Sequence, residues 1–217
     1  MKKMLPYFLV LFTSLNIIAQ EDTISQEAYN GAIDAYNAGL DAFYSKDYKG
    51  ALPQLRLSAK LNPNNADVWY AMSSTRNALG MLDSALININ TAMSLEAEQP
   101  DYALQRANIY FKQKNYTKAV TDYTNALKYN ATAEVEIMED HVFFNRGNCW
   151  LYLEEYAKAR ADFDKAIALG YDVASVYHNR ATALLRLDLR SDACKDFKKA
   201  VEMGSSISAK YIEKYCK

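Results

Sequence analysis

Residues 141–170 read HVFFNRGNCWLYLEEYAKARADFDKAIALG. Phe143, Gly147, Trp150, Tyr156, Ala159, Phe163 and Ala166 fall at the spacing W-x2-L-G-x2-Y…A-x3-F, which describes a 34-residue helix–turn–helix unit. A chance match does not persist at a fixed period, and this one does. The unit beginning at Ala174 carries Tyr177, Ala181, Leu184, Ala193, Phe197 and Ala200. Backwards from Asp140, units begin at Pro100, Ala66 and Ala32, at intervals of 40, 34 and 34 residues. The Pro100 unit has Ala107, Tyr110, Tyr116, Ala119, Tyr123 and Ala126; the Ala66 unit has Trp69, Ser73, Gly80, Ala85, Ile89 and Ala92. In the first unit Gly39, Tyr48, Ala51, Leu55 and Pro63 stand in place, while Ala35 and Ala42 replace two aromatics.

These five units resemble the tetratricopeptide repeat family from Ala32 to about Gly204. The resemblance implies an all-α solenoid: five helix–turn–helix units (32–65, 66–99, 100–133 with an insertion to 139, 140–173 and 174–204) stacked into a right-handed superhelix. It also implies a noncatalytic scaffold that binds a protein or peptide, without naming the partner. Residues 20–31 form an N-terminal helical extension and 205–217 a capping helix, where Ile207, Tyr211, Ile212 and Tyr215 make an apolar side. Solenoid ends expose an apolar face unless such a helix covers them.

Composition narrows the partners. With a formal charge of −1 and half its residues hydrophobic, the chain buries a sizeable core and shows no attraction to nucleic acid. Lys2 and Lys3 followed by the apolar run Met4 to Ala19 read as an export signal, 1–19, cleaved after Ala19. Pro6, Thr13, Ser14 and Asn16 make that run a poor membrane span; an uncleaved anchor is the competing reading. The expected location is therefore outside the cytoplasm, in a periplasm, a cell envelope or the medium, without membrane insertion after cleavage.

Local signals set the element ends. Thr23 and Gln26 have capping-box spacing, so the first helix is expected from there, longer than a standard repeat helix. Turns are expected at Ser45–Asp47, Asn62–Asn65, Gly80 and Gln99–Asp101. The six extra residues between Asn130 and His141 contain no Pro or Gly and are expected to lengthen the first helix of unit four after a short loop.

No catalytic motif is present: no HExxH, CxxC, Gly-rich phosphate loop or G-x-S-x-G, and neither a cofactor nor a metal site is expected. Three sets of residues carry candidate roles. Arg106, Arg146 and Arg180 share one slot, and sixteen residues later stand Asp122, Asp162 and Asp196; units one and two lack both, having Ala38 with Gln54 and Met72 with Asn88. Arg and Asp thus come and go together. This favours structural ion pairs between the two helices of a unit over an anion-binding row of arginines.

The second set lies on the first helices, which line the concave face. Asn37, Gln105, Asn145 and Asn179 share one slot, and Asn108 and Asn148 share another three residues on. An amide donates and accepts, so a ladder of amides grips the backbone of an extended peptide; solvated groove residues are the plain alternative. Phe144, Tyr152 and His178, with Tyr36, Tyr44, Tyr70 and Phe111, would add pockets for side chains. A cell-envelope subunit that binds through an edge or convex surface is the competing function.

The third set is Cys194 and Cys216, expected to form a disulfide. Ser205, in the turn between the last repeat helix and the cap, lies eleven residues from each, so antiparallel helices bring both to one level. Two reduced, packed thiols are the alternative, and Cys149, among small residues, is expected to stay free.

Overall fold

The computed structural model describes residues 24–133 and 137–217. Helices α1 (Gln26–Tyr44) and α2 (Tyr48–Leu61) form the first unit, α3 (Ala66–Ala78) and α4 (Leu82–Leu95) the second. The third pairs α5 (Pro100–Lys112) with α6 (Tyr116–Asn130), the fourth α7 (Glu139–Tyr152) with α8 (Tyr156–Ala168), the fifth α9 (Ala174–Arg186) with α10 (Arg190–Glu202). Then α11 (Ser206–Tyr215) packs on α10. Every helix packs against the next, and α1 also touches α3, α3 touches α5, and α7 touches α9. In a curved stack the elements that approach their equivalents lie on the inside, so the first helices form the concave face.

What joins the two helices of a unit is a size match. The large side chains Leu55, Ile89, Tyr123, Phe163 and Phe197 are all 0–1% exposed. Each belongs to the second helix of its unit, and the first helix offers a small residue in return: Gly39, Ser73, Ala107, Gly147 or Ala181. The fit is tight. A Cβ added at Gly147 would lie 2.7 Å from Phe163 Cε1, and one at Gly39 would lie 2.7 Å from Leu55 Cδ2. Burying each such side chain contributes roughly 1.5–3 kcal/mol. Where a small residue is polar it finds a carbonyl across the gap: Ser73 Oγ donates to Ala85 O at 3.0 Å and Ser58 Oγ to Ala32 O at 2.8 Å.

Two local expectations are corrected. Helix α1, at 19 residues, is longer than the 13-residue first helices of units two, three and five, but its cap is Ser25, whose side chain accepts from Ala28 N–H. Thr23 lies outside the described residues, as does the whole segment 1–19. The insertion does not lengthen the first helix of unit four back to residue 132, because α6 ends in a turn and α7 begins only at Glu139. The buried Asn130 explains the start of α7. Its Oδ1 accepts Ile137 N–H at 2.8 Å and its Nδ2 donates to Glu139 Oε1 at 3.0 Å, so one side chain holds the residues on either side of the helix start.

Candidate functional site

The three arginines bind their aspartates within the unit, each through two parallel hydrogen bonds. Arg106 Nε and Nη2 donate to Asp122 at 2.7 and 2.8 Å, Arg146 to Asp162 at 2.8 and 2.8 Å, and Arg180 to Asp196 at 2.7 and 2.7 Å. The carboxylates are buried, and the guanidinium fork satisfies both oxygens. A further contact was not legible beforehand. Each Nη1 reaches back one unit, to Asn90 Oδ1 at 2.9 Å, Thr124 Oγ1 at 2.9 Å and Asp164 Oδ1 at 2.8 Å. These acceptors share a slot two residues beyond the aspartate position of the preceding unit. The guanidinium groups therefore fasten successive units together and are occupied, which leaves no row of free arginines for an anion.

Unit two solves the same problem differently. Met72 holds the arginine slot, and Arg76, one turn on, donates Nη1 to Asn88 Oδ1 at 2.7 Å. Arg76 Nε and Asn88 Nδ2 are buried without a hydrogen-bond partner among the described residues. Burial, and then the charge of Arg56, lower the Arg76 pKa from its ordinary value.

The amides divide. Asn179 Nδ2 donates to Asn148 Oδ1 at 2.7 Å, tying units four and five across the concave face. Both line a cleft of about 590 Å³ with Phe111, Tyr152, Tyr156, His178, Arg186 and Tyr211. The other amides are elsewhere. Asn108 accepts from the Tyr123 hydroxyl at 2.7 Å and so serves the core, where burial raises the Tyr123 pKa. Gln105 Nε2 is buried without a partner among the described residues, Asn145 is half-buried, and Asn37 is exposed on α1. A continuous ladder over all units is therefore not what the chain builds; the paired amides are in units four and five.

The aromatics divide as well. Tyr152, 61% exposed, stacks on Tyr116 with ring centroids 4.5 Å apart, and Phe111 lies edge-on to both at 6.0 and 5.6 Å. Phe111 and Tyr152 of this trio line the cleft. Phe144 instead packs into the core beside Tyr171 and Phe163, at 4.7 and 6.0 Å. Tyr70 stacks on Tyr102 at 5.2 Å, and burial, followed by the charge of Asp101, pushes its pKa up to about 12. Arg186, with its guanidinium 5.7 Å from the Tyr156 ring, is a cleft residue that sequence reasoning missed. It occupies the slot of Tyr44 and Tyr152, a position with no common residue type.

Helix α11 closes the far end. His178 Nδ1 lies 2.8 Å from Ser208 Oγ, and the Tyr211 ring stands edge-on to His178 at 5.0 Å. Cys194 and Cys216 form a disulfide with Cα atoms 5.7 Å apart, in the ordinary range. Cys149 is free and fully buried, and burial pushes its pKa up to about 12, so it is an inert packed thiol. Among the described residues no cluster of three or more His, Cys, Asp or Glu could hold a metal, and no helix is long and apolar enough to cross a membrane.

Five stacked helical hairpins with a capped end and a lined inner cleft define an α-solenoid of the protein-interaction class. The family model for the tetratricopeptide repeat matches residues 100–133 and 141–172, so units three and four are tetratricopeptide repeats by sequence. U-box domain-containing protein 70 of Oryza sativa subsp. japonica is 36% identical over 91 residues, which are 42% of this chain and 11% of that protein. The chain thus spans about a tenth of that relative. Among solved structures, MamA superposes with a TM-score of 0.71 at 19% identity, covering 86% of this chain and 96% of MamA. PilF of Pseudomonas aeruginosa gives 0.69 at 18% identity, over 83% and 80% of the two chains. YrrB, described as a TPR protein with an unusual peptide-binding site, gives 0.73 at 16% identity over 87% and 95%. At these identities the likeness is one of fold.

Proposed function

We propose that this chain is a noncatalytic scaffold that binds an extended peptide in the concave cleft of units three to five. The observation that carries the reading is the coincidence, in one cleft, of the Asn148–Asn179 amide pair with the exposed Tyr152 and with Arg186. A peptide backbone needs donors and acceptors, which the amides supply by exchanging their mutual bond for bonds to the ligand. Its side chains need apolar contact, which Phe111, Tyr152 and Tyr211 supply. YrrB, which shares the fold and is described as having a peptide-binding site, supports a peptide as the class of ligand. We further propose that the chain is exported and cleaved after Ala19, on the strength of Lys2, Lys3 and the apolar run that follows; N-terminal sequencing of the exported protein should begin at Gln20.

The groove is tested with a library of random twelve-residue peptides presented to the immobilised protein. Asn148→Ala with Asn179→Ala should reduce capture at least tenfold, and Tyr152→Ala should do so alone, while substitution of the exposed Lys198 and Glu202 on α10 should change nothing. Unchanged capture by the groove variants, with loss on the α10 variants, would instead favour a subunit of an envelope assembly bound through an edge.

A further inference from the structure

We propose that the Cys194–Cys216 disulfide is a redox latch on the cleft: it holds α11 in place as the C-terminal wall, and reduction releases that wall. The inference concerns regulation of the same cleft and rests on the groove reading only for its consequence to a ligand.

The physical case begins with the size of α11. Ten residues are too few for a helix to persist in water by itself, so its order depends on what it leans on. Among its residues only Ser208 is buried. Tyr211 and Ile212, with Cys216, pack against the cluster of Ala181, Leu184, Ala193 and Phe197, the last with its ring 5.1 Å from that of Tyr211. Such a patch is small. The helix is fixed at one end by the turn through Gly204 and Ser205 and at the other by the disulfide, because Cys216 is its C-terminal cap. Cutting the bond leaves a short amphipathic segment tied at one end.

The position of the helix makes this consequential. Tyr211 lines the main cleft and also a second hollow of about 310 Å³, shared with Thr182, Arg186, Arg190 and Tyr215. Thr182 and Arg186 of α9 border both hollows too, and Tyr211 is the residue that α11 contributes to both. Ser208 occupies His178 Nδ1 at 2.8 Å. With α11 gone, the two hollows merge, His178 loses its partner and its cover, and the apolar side of Leu184 and Phe197 opens to solvent. Both cysteines are only partly buried, so a reductant can reach the bond.

The chemistry is a thiol–disulfide exchange with a dithiol as reductant. A thiolate of the dithiol attacks one sulfur, forming a mixed disulfide and expelling the other as thiolate. The second thiol of the reductant then closes its own disulfide. Two electrons pass to the protein, both sulfurs leave as thiols after taking up two protons, and the dithiol departs oxidised.

The purified protein is compared oxidised, reduced by dithiothreitol, and as the Cys194→Ser, Cys216→Ser double variant. Amide hydrogen exchange across 206–215 should quicken on the order of a hundredfold in the last two, the factor that a loop of this length gives in the chain-entropy model. Exchange in α3 to α8 should stay the same, which also shows that the variant has folded. Modification of His178 by diethylpyrocarbonate should quicken in parallel, with His141 as the internal reference. Equal protection of α11 in all three forms overturns the latch, and so does release of α11 without faster labelling of His178. Neither readout uses a peptide, so failure of the latch is distinct from failure of the groove, which peptide capture by the oxidised protein decides.

Discussion

Arg180 donates through Nη1 to Oδ1 of Asp164, at 2.8 Å, across the junction between the fourth and fifth units. The same guanidinium holds Asp196 in its own unit, and the two carboxylates differ in setting: the Asp164 side chain is 42% exposed and is shared with Arg160, whereas Asp196 is 10% exposed. An exposed pair is screened by water, but removing a buried partner strands the remaining charge. Asp196→Ala should therefore cost about 3 kcal/mol in urea unfolding, and Asp164→Ala under about 1 kcal/mol. Equal losses would contradict this division.

Unit two offers the converse experiment. Arg76 meets an amide where other units place a carboxylate, and two buried donors, Arg76 Nε and Asn88 Nδ2, go unused. Asn88→Asp removes one orphan donor and supplies an acceptor for the other. It should stabilise the protein by about 1–2 kcal/mol, since a charge-assisted bond replaces an unmet one. A lower urea midpoint in the variant would refute the account.

How much of this could be read from the chain depends on whether residue type or only position is shared between units. The Leu55, Ile89, Tyr123, Phe163 and Phe197 series is legible because each faces a small residue at a fixed spacing. The Arg–Asp pairs are legible because both members appear or vanish together. The second arginine contact is not, since Asn90, Thr124 and Asp164 have only their slot in common. Arg186 escapes notice for the same reason. The amide series misleads in part: Asn108 is taken up by Tyr123, a three-dimensional neighbour fifteen residues away that the amide pattern does not reveal. The start of α7 is not legible because it is marked by one buried side chain, Asn130, which bonds Ile137 N–H and Glu139 across the sequence.

The turn inside each unit gives a third prediction. Lys46, Gly80, Lys114, Glu154 and Asp188 occupy one slot and all have φ between 60° and 75°. Backbone bonds explain why: Lys114 N–H reaches Phe111 O at 2.9 Å and Asn115 N–H reaches Tyr110 O at 2.8 Å, a pairing that requires a left-handed residue after the helix. Only glycine adopts it without steric cost. Lys114→Gly should therefore stabilise by up to about 1 kcal/mol, and Gly80→Ala should destabilise by about 1 kcal/mol. Opposite signs at equivalent slots, read from thermal midpoints, are the test.

The last prediction concerns pH. His178 is half-buried between Phe197 and Tyr211, with Nδ1 on Ser208, and burial lowers its pKa from the ordinary value. Lowering means that the fold prefers the neutral ring. Above about pH 6.5, the usual histidine value, the ring is neutral in both folded and unfolded chains and this contribution to stability is fully present. As pH falls below that value the unfolded chain binds the proton first, so stability declines, and the loss is complete once pH passes below the folded pKa. Helix α11 should bear most of it, because the charged ring sits against two aromatic rings on α10 and α11. Titration of the His178 ring by NMR in the oxidised protein should give a midpoint below 6.5. Ser208→Ala with Tyr211→Ala should return the midpoint towards the ordinary value by admitting water. A wild-type midpoint at or above 6.5 would show that the ring is solvated and that α11 does not cover it.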